Sequence, residues 1–306
     1  MKLLPILNTI FIIISGLLAI AFYTLIERKF LGYIQHRKGP NKPRLIALTT
    51  PLADAIKLFI KEEKNTTKIN WKFYLIAPIT IIIISLLLWP IYSHYSPLFF
   101  IKIGILYFLS ITSIRIYTTF IAGWRSNSKW GLLGALRAIA QRISYEVSMS
   151  LILILFIVHP ISINILKIIQ DQYYWIIIFL LPLSIIWFLT ILAETHRAPF
   201  DFSEGESELV SGFNTEYRSS PFAIIFMAEY MNILLIRLLS TSILIKNYYN
   251  LDLIIKRTIL SFMFIWIRGS LPRLRYDILI NTQWKKLMPV SLILTLLIIP
   301  LNIVIK

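Results

Sequence analysis

The chain has no cysteine among its 306 residues. That excludes disulfides, thiolate nucleophiles and cysteine-ligated iron–sulfur clusters within it, while leaving its redox compartment open. Histidine is scarce: His36, His94, His159 and His196, with no pair four residues apart. A haem held between two histidines of one span therefore has no candidate. Neither Gly-x-Gly-x-x-Gly nor the phosphate-loop pattern ending in Gly-Lys-Ser/Thr occurs, so no nucleotide site is visible. Acids number only 15 against 31 Lys and Arg, a net charge of +16. No basic stripe interleaved with aromatics accompanies that excess, so nucleic acid is not the implied partner. In a chain rich in apolar runs, the charge speaks first to membrane topology.

What is present is hydrocarbon: 57% of residues are hydrophobic. Runs near 20 residues match the thickness of a bilayer. The sequence reads as an all-α, polytopic membrane protein, one membrane domain over 1–306. About eight spans are expected, at about 3–26, 73–92, 98–121, 136–158, 175–193, 221–245, 253–267 and 287–305. Lys2 and Ala19-Ile20-Ala21 imitate a signal peptide. The apolar run continues to Ile26, too long for that, so a retained first span is expected. Over 51–62, Leu52, Ala55, Ile56, Phe59 and Ile60 share one helical face, opposite Asp54, Lys57 and Lys61. Too short and too charged to span, this segment reads as an amphipathic helix lying at the interface or docked on protein.

With eight spans, the odd-numbered loops carry 22 of the 31 basic residues. The bias puts those loops on the cytoplasmic or matrix side and both termini opposite. One face is thus charged and elaborate, the form of a docking surface for soluble partners.

Six of the 15 acids crowd into 193–217, between two apolar spans. Carboxylates packed together beside a membrane resist joint ionisation, because like charge and desolvation both raise their pKa. Glu204, Glu206 and Glu208 alternate around Gly205. Arg197 precedes Asp201 by four and can pair with it; Pro199 halts helix continuation. His196, Arg197 and Asp201 form either a polar headgroup site or simple loop stitching. Phe200, Phe202, Phe213, Tyr217 and Phe222 offer an aromatic lining for an apolar tunnel, or a belt at the interface. Glu27, Glu146 and Glu229 lie in or at the ends of spans, where an ionised carboxylate is costly. Arg142 stands one turn before Glu146 as a partner. A proton relay and a set of structural ion pairs are the two readings; no metal-ligand pattern is apparent.

Several long motifs occur in order: Glu27-Arg28-Lys29, Arg37-Lys38-Gly39-Pro40-Asn41, Ala53-Asp54-Ala55-Ile56-Lys57, Gly134-Ala135-Leu136-Arg137-Ala138, Ser144-Tyr145-Glu146-Val147, the acidic loop, Ala228-Glu229-Tyr230 and Arg275-Tyr276-Asp277. In these the chain resembles the subunit-1 family of respiratory NADH:ubiquinone oxidoreductase, complex I, over nearly its whole length. The resemblance implies a membrane-arm subunit of the mitochondrial inner membrane, with its charged loops on the matrix side. It implies that the subunit forms the entrance and much of the tunnel for ubiquinone, its substrate. NADH, FMN and iron–sulfur clusters would then belong to partner subunits. Partners would be other membrane-arm subunits, the quinone-module subunits of the peripheral arm, and membrane lipid. The family's proton-coupling acids map onto Asp201, Glu204, Glu206, Glu194, Glu146 and Glu229, joined by Glu27. Arg28, Arg37, Asp54 and Arg197 match positions around the quinone tunnel, beside His196 and Phe222. His196 and Ala198 stand where mitochondrial members commonly carry Asn and Thr. A secondary ion transporter, which favours inverted repeats, and a pure scaffold are the competing classes; no repeat is visible.

Overall fold

A computed structural model describes residues 3–42, 46–62, 74–91, 103–158, 162–172, 175–202, 205, 212–245 and 250–305. Every regular element among them is helical. The long helices are α1 (Leu3–Ile34), α4 (Gly104–Arg125), α5 (Lys129–Val158), α9 (Ser219–Leu244), α10 (Asn250–Ser270) and α12 (Met288–Ile305). Shorter ones are α2 (Thr50–Ile60), α3 (Ile76–Leu88), α6 (Ile165–Asp171), α7 (Ile176–Phe179), α8 (Leu181–Glu194) and α11 (Tyr276–Thr282).

Among the described residues, five segments are long and apolar enough to cross a membrane: Leu7–Ile34, Gly104–Arg125, Lys129–Val158, Ser219–Leu244 and Tyr276–Pro300. Ile76–Ile91 and Leu181–Glu194 are apolar but shorter. α10 has the length, yet it carries Asp252, Lys256, Arg257 and Arg268. Large apolar side chains stay outward along the bundle, among them Leu7, Phe11, Ile14, Ile79, Ile185, Ile259 and Leu296. A helix satisfies its own backbone, so such a surface is compatible with lipid.

Two polar loops are shorter than the sequence suggests. The turn after α4 is only Ser126–Ser128, because the Ser128 hydroxyl accepts from the Gly131 N–H at 3.1 Å and starts α5 early. Gly123 permits close approach there, since a Cβ would meet Ala135 Cβ at 2.2 Å. The second basic loop contains α11, with Asp277 in its first turn. A π-turn at Gln283–Leu287 joins it to α12. There Gln283 donates to Ser144 O at 2.9 Å and Ser148 Oγ at 2.7 Å, tying this connection to α5.

The main core gathers Phe108, Tyr145, Met149, Ile152, Phe156, Trp187, Ile191, Met231 and Ile236 from α4, α5, α8 and α9. A smaller cluster joins Tyr74, Ala77, Ala135, Phe213, Tyr217 and Ile225. It seats the end of the acidic loop: Tyr74 stacks on Tyr217 at 4.6 Å, and its hydroxyl donates to Glu216 O at 3.0 Å.

Candidate functional site

The site begins where α8 stops. Thr195 turns its hydroxyl back to Ile191 O at 3.0 Å, and His196 enters the left-handed region at φ 49°. The chain reverses through a cis Ala198–Pro199 peptide. The buried Gln141 of α5 clamps this reversal, donating to Ala193 O at 2.8 Å and Phe200 O at 2.9 Å. Leu274 N–H donates to Pro199 O at 3.2 Å, bringing the second basic segment alongside.

These elements enclose a cavity of about 340 Å³ with His196, Arg197, Asp201, Phe226, Glu229, Tyr230, Arg268 and Arg273 in its wall. Cations outnumber acids there, and three ion pairs shape it. Asp201 accepts from Arg273 at 3.1 Å. Glu27, buried in α1, accepts at Oε1 from Arg197 at 3.0 Å and from Arg268, and at Oε2 from the Tyr230 hydroxyl at 2.8 Å. The Arg197 guanidinium also lies 4.4 Å over the Tyr230 ring. The Arg197–Asp201 pair expected from spacing does not form; each side chain finds a partner on another element. Burial alone would pull the Arg197 pKa down, but Glu27 and Tyr230 outweigh it and raise it. Arg197 is a permanent cation.

Arg142 departs from expectation in the same way. Its Nε donates to His196 Nε2 at 2.7 Å rather than closing on Glu146. The imidazole must then be the Nδ1–H tautomer. Burial, then Arg142 and Arg115, hold the His196 pKa well below the ordinary range, so the ring is neutral. Behind it lies a buried polar seam between α4, α5, α8 and α9. Arg115 sits in the field of Arg142, Glu194 and Glu229, and Arg142 in that of Glu194, Glu229 and Glu146. Glu229 in turn feels Asp201, and Glu146 feels Glu194. Asp201 thus acts on Glu229 and Glu194 on Glu146, while Arg115 and Arg142 lie in the field of both Glu229 and Glu194.

The remaining expected positions divide. Arg28 and Asp54 pair at 3.1 Å across α1 and α2, on an exposed surface. α2 has no buried residue, and Leu52, Ile56, Phe59 and Ile60 stand outward. Arg37 is exposed beyond α1, away from the cavity wall. Phe222 packs 4.5 Å from the cavity residue Phe226 and against the smaller core. Phe200, Phe202, Phe213 and Tyr217 are core residues; among the described residues, Phe226 and Tyr230 are the aromatics in the cavity wall. Burial, with Tyr74 reinforcing it, raises the Tyr217 phenol pKa. Glu204, Glu206 and Glu208 lie outside the described residues.

Arg115, Gln141, Arg268 and Arg273 are site residues that spacing did not single out. Arg115 had a signal: an arginine inside an apolar helix demands a reason as much as a glutamate does. Gln141 had none, since an uncharged amide in a helix is ordinary until its partners are known.

A protein-family model described as NADH dehydrogenase matches residues 7–299. NADH-ubiquinone oxidoreductase chain 1 of Aedes aegypti is 49% identical over 292 residues, covering 95% of this chain and 93% of its own length. The chain of the same name from Locusta migratoria is 46% identical over 289 residues, with 94% and 92% covered. That of Nycticebus coucang is 42% identical over 294 residues, with 93% and 92% covered. With a model matching most of its length and such relatives, the chain belongs to the NADH dehydrogenase family that contains the subunit-1 chains of NADH-ubiquinone oxidoreductase, and is a component of that enzyme complex.

Proposed function

We propose that this chain carries ubiquinone to its reduction site in the mitochondrial inner membrane and couples that reduction to proton movement through its buried carboxylates. One observation carries the reading: Asp201 and Glu229 stand in the cavity wall, and Glu229 shares the field of Arg115 and Arg142 with Glu194 in the bundle behind. The redox groups, FMN and the iron–sulfur clusters, belong to partner subunits, which this cysteine-free chain meets through its charged, matrix-side face. Those partners are the quinone-module subunits and the neighbouring membrane-arm subunits. About eight spans cross the bilayer, α10 and the shorter α3 and α8 included, and α2 lies at the interface with its apolar face toward lipid.

Quinone enters between α1, α2 and α9. Its apolar tail passes the Arg28–Asp54 pair, Arg37 and Phe222 in the complete tunnel, and Phe226 supports the cavity end. Reduction changes the charge near His196, Arg197 and Asp201. A charge change next to a carboxylate alters its proton affinity, and Asp201, Glu204, Glu206 and Glu229 pass that change toward Glu194 and Glu146. Glu27, held by two arginines and a phenol, fixes the cavity wall as their counter-ion.

Asp201→Asn in the assembled complex tests this. NADH oxidation with a hydrophilic artificial acceptor should persist, while ubiquinone reduction and the accompanying proton uptake fall together. Normal quinone-linked pumping by the assembled variant sinks the role.

A further inference from the structure

From Glu27 a second polar branch leaves the cavity, distinct from the carboxylate series. Tyr23 lies one helical turn from Glu27 on the same face of α1. Its ring meets that of Tyr230 edge-on at 5.9 Å, and its hydroxyl accepts from Arg237 of α9. The Arg237 guanidinium is wedged between the Tyr23 ring, at 4.1 Å, and the Phe264 ring of α10, at 4.9 Å. Only 3% of the residue is exposed. It makes no ion pair among the described residues, and its Nε and Nη1 are buried without a hydrogen-bond partner.

An unpaired arginine inside an apolar helix is expensive and asks for a function. The sequence of α9 shows what it interrupts. Tyr230 and Arg237 are seven residues apart on one face, and the buried Ser240 and Thr241 continue that face toward Leu244. Hydroxyl groups can pass protons; a guanidinium, which stays charged, cannot release one. A fixed positive charge in a narrow polar path excludes protons by electrostatic repulsion. We propose that Arg237 is an electrostatic plug, which stops protons gathered at the cavity from leaking along the α1–α9–α10 seam to the opposite face. The two aromatic faces hold the cation in place without neutralising it, as a carboxylate partner would.

The inference rests on the reading of the cavity as a proton-handling site, but its test needs no turnover. The assembled complex is sealed into liposomes without NADH, and the decay of an imposed pH gradient is followed. Arg237→Gln keeps a hydrogen-bond donor for Tyr23 while removing the charge. It should leak severalfold faster than the wild type, with artificial-acceptor activity intact. Arg237→Lys should stay tight. Adding Tyr23→Phe to Arg237→Met removes the relay together with the plug and should restore a tight membrane. An assembled Arg237→Gln complex as tight as the wild type overturns the proposal. So does failure of Arg237→Gln to assemble while the Tyr23→Phe/Arg237→Met pair assembles, since that makes Arg237 a packing partner of Tyr23. Failure of the coupling reading appears elsewhere, as normal pumping by Asp201→Asn.

Discussion

Two buried ionic regions adjoin the cavity and are built differently. At the Glu27 carboxylate bonding is complete: both oxygens are occupied, by Arg197, Arg268 and Tyr230. Around Arg142 bonding is incomplete. Arg142 Nη1, Arg115 Nε and His196 Nδ1 are all buried without a hydrogen-bond partner. A completed buried network is rigid, and an incomplete one keeps unspent capacity to bond. The Glu27 region fixes the cavity wall, while the Arg142 region can respond to a change of charge inside it.

The sharpest way to break this contrast is Glu27→Ala. It strands Arg197 and Arg268, and breaking a buried pair from one side costs about 3–5 kcal/mol. The assembled complex should largely disappear from a native gel; normal assembly would remove the distinction. Arg142→Gln should leave assembly intact and lower quinone-linked turnover about tenfold, the equivalent of about 1.4 kcal/mol in the barrier. Unchanged turnover would make the region inert.

A pH series sharpens the contrast further. The folded state holds His196 below its ordinary value, so in acid the unfolded chain binds the extra proton first. The contribution to stability is therefore fully present above about pH 6.5 and is lost as pH falls toward the folded pKa. Thermal inactivation should accelerate below that pH, less so in His196→Asn. Identical acid profiles for the two proteins would contradict a neutral buried imidazole. The smallest effect is expected at the exposed Arg28–Asp54 pair, where Asp54→Asn should change stability by less than about 1 kcal/mol. A larger loss in a melting experiment would mean that α2 is held by this pair rather than by its apolar face.

Helices were legible in the sequence because apolar runs report length directly. The helix expected at 51–62 is α2, Thr50–Ile60; the run expected at 175–193 is broken between α7 and α8, and parts of the runs at 73–92 and 98–121 lie outside the described residues. Helix starts were less legible. α5 begins at Lys129, before its apolar run, because a serine cap and glycine-mediated contact with α4 govern the turn. Ion pairs were the least legible. Separation by four residues proposed Arg197–Asp201 in the loop and Arg142–Glu146 on a helix. Packing gave Arg197 to Glu27, 170 positions away, and Arg142 to His196, 54 positions away. Local spacing lists what can pair if nothing else intervenes, and in a bundle with few acids every cation is contested by other helices. The carboxylates themselves stood out in the sequence because their cost in hydrocarbon does not depend on knowing their partners.

One helix is the datum from which the whole site is measured. α5 holds the start of the acidic loop through Gln141 and abuts its end at Gly134, where a Cβ would meet the Gly212 backbone at 2.7 Å. It supplies Arg142 to His196, carries Glu146, and receives Gln283 from the α11–α12 connection. All these contacts share one angular register, in which each residue advances about 100° around the axis. A single residue inserted between Gly134 and Gln141 would turn one end of α5 out of phase with the other. The helix and its hydrophobicity would survive, but loop, histidine and connection would lose their common alignment. Point substitutions along α5 can be absorbed one contact at a time; changes in its length cannot.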